Sequence, residues 1–229
     1  MTAPRDQSAD DDVMVRWDAL RRVAIVGAAT LKGKELKETL DERKFPALDI
    51  KLLDDDESLG QLDAVGDEAT FIQSVRPEHF EHVDFAFFAC DADFTRRHWK
   101  LARDAGSVVI DLSYALEDEP GAAVRSPWLE TERKARGDTA AVVQVPAHPA
   151  ATVLALLMAR AHRAGAIETA VATVFEPASE QGRRGMDELH QQTVNLLSFQ
   201  ELPKAVFDAQ VAFNLLDRKS TRLNSSHRL

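Results

Sequence analysis

The stretch QVPAHPAATVLALL, residues 144–157, runs an apolar strand into a Pro-x-x-Pro turn and straight on into an apolar helix. A strand end meeting a helix N-terminus suits a nucleophile, because the helix dipole stabilises an anion there. The turn offers Ala150, Ala151 and Thr152. A methyl group attacks nothing, and the Thr152 hydroxyl lacks an adjacent base, so its plain role is helix capping. His148, just before the second proline, reads either as a hydrogen-bonded turn residue or as a general base. Cys90 closes the apolar run VDFAFFAC at a strand's carboxyl end. It is either a buried structural thiol or a displaced nucleophile. VAIVGAATLKGKEL holds a different chemistry: strand, glycine turn and helix in succession form a phosphate cradle. Gly27 and Gly33 frame Ala29, Thr30 and Leu31, the residues expected to line a dinucleotide's pyrophosphate. The next strand ends in LLDDDESLG, placing Asp54, Asp55, Asp56 and Glu57 ahead of Ser58. Such carboxylates accept hydrogen bonds from a ribose diol and repel a 2′-phosphate, which favours NAD over NADP; the other reading is a solvated acidic loop. No metal site is expected.

These residues need elements to hold them. RRVAIV is a β-branched strand, followed by a charged amphipathic helix; ALDIKLLDDD is a second strand and ATFIQSV a third. VDFAFFACDADFTRRHWKLARDAGSVVIDLS repeats the unit: buried strand, polar turn, helix to Ala105, Gly106 as C-cap, strand. Short apolar strands alternating with helices imply an α/β fold, a doubly wound parallel sheet of Rossmann type covered on both faces. EDEPGAAVRSPWLETERKARGDTA is a loop or short helix before the strand AAVVQV. Beyond it a helix is expected over about 151–164, a long strand in AIETAVATVFEP, and a helix in RRGMDELHQQTVNLLSF. On the last, Met186, Leu189, Thr193 and Leu196 share one face.

Composition narrows the partners. The chain has 229 residues, 45% hydrophobic and 29% charged, with a net charge of −10. That balance argues against nucleic acid, which demands a basic face. The most apolar run is broken by Arg160, His162 and Arg163, so no membrane span is expected, and the acidic opening MTAPRDQSADDD is no signal peptide. A single cysteine fits a reducing cytoplasm.

Five motifs in register resemble the aspartate-semialdehyde dehydrogenases and their acyl-phosphate reductase relatives. They are VAIVGAATLKGKEL, DFAFFACDAD, AGSVVIDLSYAL, VPAHPAATVLALL and VFEPASEQGRRGMDELHQQT, with VAFNLL similar to a later strand. The resemblance covers residues 21–216. It implies a Rossmann-type domain followed by an α+β mixed-sheet domain that is catalytic and dimerises, here incomplete. It also implies NADPH-dependent reduction of β-aspartyl phosphate through a thioester on cysteine, in amino-acid biosynthesis. Where the family reads Asn-Pro-Asn-Cys-Ser/Thr, this chain reads His148-Pro149-Ala150-Ala151-Thr152, so the nucleophile falls on Ala151. The family's middle loop glycine falls on Thr30 and its acyl-phosphate arginine on Glu117; small residues at the position of Cys90 line its nucleotide site. Three losses, Cys to Ala151, Asn to Ala150 and Arg to Glu117, imply a protein without normal activity, or a non-catalytic NAD-binding subunit that regulates or heterodimerises; a homodimer through the second domain is the family's own arrangement.

The expected organisation is a tail over 1–20, a dinucleotide-binding domain over 21–148 and a partial second domain over 149–216. DRKSTRLNSSH, within 217–229, resembles a translated sequencing adapter, the alternative being a natural basic tail. The former reading carries the expectation that the natural protein continues beyond Leu216, and leaves the remainder more acidic than the whole.

Overall fold

The computed structural model describes residues 20–55, 60, 62–65, 68–132 and 141–216. Contacts divide the chain into two compact units, Met1–Thr173 and Val174–Leu229. The sequence places the division at Pro149. That residue opens a helix that packs against its neighbour in the first unit, so the helix is grouped there.

The first unit is built on β1 (Arg21–Val26), β2 (Ala47–Asp54), β5 (Gln73–Ser74), β6 (Phe85–Phe88), β7 (Val108–Asp111), β8 (Ala122–Arg125) and β9 (Val143–Pro146). They form one seven-stranded sheet in the order β5-β2-β1-β6-β7-β9-β8, parallel at every pairing. β3 (Leu62–Val65) and β4 (Glu68–Phe71) make a separate antiparallel pair. The expected strand ATFIQSV is thus divided between β4 and β5. Helices are α1 (Leu31–Glu42), α2 (Ala92–Asp104), α3 (Pro127–Glu132) and α4 (Pro149–Ala164).

Alternation along β1 explains the two covered faces. Val23 and Ile25 join Leu40, Leu52 and Ile72 in one core; Ala24 and Val26 join Phe80, Phe88, Trp99, Val109 and Val145 in the other. Leu40 belongs to α1 and Trp99 to α2, so successive side chains of one strand seat helices on opposite sides. Both helices carry a side-chain N-cap, and α2 ends at the glycine expected of it. Thr30 and Asp91 accept from the amides of Gly33 and Phe94, and Gly106 follows α2 at φ 90°.

β8 was not expected. Its sequence, AAVR, sits between polar, Pro/Gly-punctuated segments and carries little apolar signal. It forms because β9 offers an edge, onto which it pairs in parallel from Ala122↔Val143 to Arg125↔Pro146.

The second unit holds α5 (Gly182–Leu197), entered by a 3-10 turn at Ala178–Gln181. Residues 166–177, expected to be a strand, form none: no described strand pairs with them, and Val171 and Phe175 are 92% and 73% exposed. An apolar run lacking a hydrogen-bonding neighbour is not a strand. The inward face of α5 is centred on small and polar residues beside the half-buried Leu189, Thr193 and Leu196. Gly185, Glu188 and Gln192 are buried, while Met186 is exposed. The reason is the segment after the helix, whose backbone has no regular structure and needs partners. Glu188 accepts from Val206 and Phe207 N–H at 2.6 and 3.1 Å. Gln192 accepts from Val211 and Ala212 N–H at 2.7 and 3.2 Å and donates to the carbonyls of Pro203 and Ala209.

Candidate functional site

Because every strand of the large sheet is parallel, all carboxyl ends share one edge. From β1 the chain winds outward to β2 and β5, then returns to β6 on the other side and continues to β7 and the edge strand β8, with β9 last, inserted between those two. The reversal between β1 and β6 opens a crevice at their carboxyl ends. Gly27 ends β1 there, at φ 88°, and a Cβ on it would stand 2.7 Å from the backbone nitrogen of Cys90. Gly33 lies one turn into α1, where a Cβ would overlap the Gly27 carbonyl. These two glycines let the loop fold tightly against β6 and against its own helix.

The loop's polar groups are turned inward. Gly27 and Ala28 N–H donate to the Leu53 carbonyl, Thr30 N–H to Gly27, and Lys34 N–H to Thr30. The Thr30 hydroxyl stands 2.8 Å from the Gly27 carbonyl and 2.9 Å from that of Ala89, while accepting from Gly33 N–H. Asp54, 7% exposed, accepts from Ala29 N–H through Oδ2 at 2.7 Å and from Asp55 N–H through Oδ1 at 2.9 Å. Burial raises its carboxyl pKa above the ordinary value, against the pull of these two amides. Asp54 therefore ties the end of β2 to the loop, where the sequence suggested a ribose acceptor. Leu31 begins α1. Ser58, like Asp56 and Glu57, lies outside the described residues.

Cys90 is 9% exposed, its Sγ 3.3 Å from the Thr95 hydroxyl. Burial pushes its thiol up to about 12, so at neutral pH no thiolate forms. Thr95 in turn accepts from the Ser113 hydroxyl at 3.0 Å, and Ser113 is 2.6 Å from Asp111 Oδ1. Asp111 also accepts from the amides of Ser113 and Leu116, which shapes the turn after β7. Nothing but a single carboxylate at the end of SVVID signalled this role in the sequence.

That turn holds Tyr114 at φ 61°, a backbone conformation uncommon for a tyrosine. Its ring lies 5.7 Å from that of His148 and 5.4 Å from the Lys32 ammonium, so residues following β7, β9 and β1 meet here. His148 Nδ1 accepts from Ala150 N–H at 3.3 Å, the capping of a turn residue. Ala151 is exposed in the first turn of α4, and the Thr152 hydroxyl lies 3.4 Å from that of Ser126. Glu117 is exposed beside the buried Leu116. On the outer strands Arg125 makes a bidentate pair with Glu130 at 2.9 and 2.8 Å and reaches Gln144, fixing β8 and α3 to β9. Sequence inspection missed this pair as well as Lys32.

The crevice fits a dinucleotide in topology and in its glycine turn, but most of the loop's own amides already have acceptors. Two cavities lie away from it. One of about 530 Å³ is at the amino edge beside Arg21, Arg22 and His82; one of about 560 Å³ is lined by α5 and residues 201–203. No helix among the described residues is long and apolar enough to cross a membrane, and none of their His, Cys, Asp and Glu residues group to hold a metal.

Residues 22–153 match the family described as semialdehyde dehydrogenase, NAD binding domain. The chain belongs to this family. A USG-1 protein homolog of Pseudomonas aeruginosa is 38% identical over 85% of the chain and 57% of its own length. An aspartate-semialdehyde dehydrogenase of Prochlorococcus marinus is 29% identical over 84% of the chain and 55% of its own. A solved structure of a probable aspartate-semialdehyde dehydrogenase from Pseudomonas aeruginosa superposes with a TM-score of 0.70 at 35% identity, over 86% of the chain and 59% of that structure. The chain thus spans less than two thirds of the length of these relatives. As a semialdehyde dehydrogenase family member it carries the NAD(P)-binding Rossmann-type sheet, with Ala151 and Thr152 inside the matched span.

Proposed function

We propose that this protein binds a nicotinamide dinucleotide in the β1/β6 crevice and lacks the thioester step of its oxidoreductase family. The observation that carries this reading is the exposed Ala151 at the start of α4, where the resemblance puts the nucleophile. The one thiol in the chain, Cys90, is buried and protonated and cannot replace it. Glu117, exposed where the family carries an arginine, adds a charge that repels an acyl phosphate. NAD is favoured over NADP, because Asp54 and Asp55 put carboxylates at the end of β2, against a 2′-phosphate. The role that follows is a non-catalytic, dinucleotide-binding paralogue that regulates or pairs with another chain in the cytoplasm. Association is supported by Val153, Leu154 and Leu157, exposed on α4.

The decisive experiment is an NADH and NADPH titration beside a turnover assay on aspartate semialdehyde with phosphate and NAD+ or NADP+ as hydride acceptor, for the wild type and Ala151→Cys. Saturable NADH binding without turnover in either protein is the expected result. Turnover by the wild type would overturn the reading. Strong rescue by Ala151→Cys would show that one residue alone separates this chain from an active enzyme.

A further inference from the structure

We infer that Lys32 is the phosphate-binding group of the crevice, a task that glycine loops usually give to backbone amides. The inference rests on the dinucleotide-binding reading above and adds the group that holds the pyrophosphate. Three observations lead to it.

First, five amides of the cradle are occupied by the protein's own acceptors. The N–H groups of Gly27, Ala28, Ala29, Thr30 and Gly33 donate to Leu53, Asp54, Gly27 and the Thr30 hydroxyl. An anion approaching the loop therefore finds these five amides engaged, with the buried Asp54 carboxylate behind the one at Ala29.

Second, Lys32 reaches across the crevice. It stands in the first turn of α1, after β1, yet its Nζ donates to the Leu112 carbonyl after β7 at 3.0 Å. In the sheet order β6 lies between those strands, so the side chain passes the carboxyl end of β6, where Cys90 meets Gly27. The Tyr114 ring, 5.4 Å from the ammonium, steadies it from one side. An ammonium has three protons, and one on Leu112 leaves two for phosphate oxygens without moving the side chain.

Third, the surrounding charges are acidic. Asp54 ends β2, and Asp55, Asp91 and Glu117 follow strands at this edge. Without a cation at its centre, such an edge repels a pyrophosphate.

The test compares wild type, Lys32→Ala and Lys32→Arg with three probes: NADH, inorganic pyrophosphate and, as an uncharged control, adenosine. For Lys32→Ala, affinity for NADH and for pyrophosphate should fall about tenfold or more, while adenosine binding and melting temperature stay unchanged. Salt should weaken pyrophosphate binding less in this variant, and Lys32→Arg should keep most of the affinity. Wild-type affinity of Lys32→Ala for both charged probes would overturn the assignment and leave the dinucleotide reading standing. Lys32-dependent binding of pyrophosphate without any binding of NADH would uphold the assignment and defeat that reading. Failure of the wild type to bind either charged probe would overturn both.

Discussion

At the scale of single residues, the crevice is governed by a few side chains whose environments override their usual chemistry. Cys90 is the clearest: its backbone and Cβ lie against Gly27, its thiol is hydrogen-bonded to Thr95, and burial holds that thiol protonated. Gly27→Ala should therefore destabilise the first unit by about 3 kcal/mol, since the new methyl needs a positive φ and meets the Cys90 backbone. Urea unfolding measures this, and a loss under about 1 kcal/mol would mean that the loop can shift away. Asp54 makes a prediction about pH. Its folded pKa is raised above the ordinary 3.8, so the folded state holds this proton more tightly than the unfolded state. Its contribution is then full below the unfolded value and is lost as pH rises through the folded one. Denaturant midpoints taken from pH 4 upward should show the wild type losing stability relative to Asp54→Asn. A constant gap between the two would assign the slope to other groups.

At the scale of elements, hydrogen bonds to backbone decide what the apolar pattern leaves open. α5 turns Glu188 and Gln192 inward because the chain after it has amides and carbonyls to satisfy, and these two side chains reach them. Gln192→Leu keeps the volume and leaves the amides of Val211 and Ala212 without their acceptor. The segment should loosen by about 2 kcal/mol, read as faster hydrogen exchange at those two amides. Unchanged exchange would show that the segment is held by other contacts. The same logic explains residues 166–177. Their composition is that of a strand, but a strand exists only as one side of a pair, and no described partner lies beside them. β8 is the converse, a weak segment ordered by the free edge of β9.

At the scale of the whole molecule, the outstanding feature is apolar surface. α4 buries no residue fully and exposes Val153, Leu154 and Leu157, and in the second unit Phe199 and Phe213 are 98% and 78% exposed. Surfaces of this kind mark association. Sedimentation velocity should show the protein self-associating as its concentration rises, unless a partner chain is supplied. A monodisperse monomer across the micromolar range would remove the support these residues give to a paired subunit.

The sequence by itself determined the parallel sheet, the glycine turn and the glycine that ends α2. Each is a local fact: strand-length apolar runs alternating with helices, glycines six residues apart, a glycine directly after an amphipathic run. Only the tertiary structure decided which polar groups meet. The pairing of Asp54 with Ala29, the line from Cys90 through Thr95 and Ser113 to Asp111, and the reach of Lys32 to Leu112 all join distant parts of the chain. Periodicity reports whether a residue faces the core. It carries no information on which strand end lies beside which, because that follows from the order in which the sheet is wound.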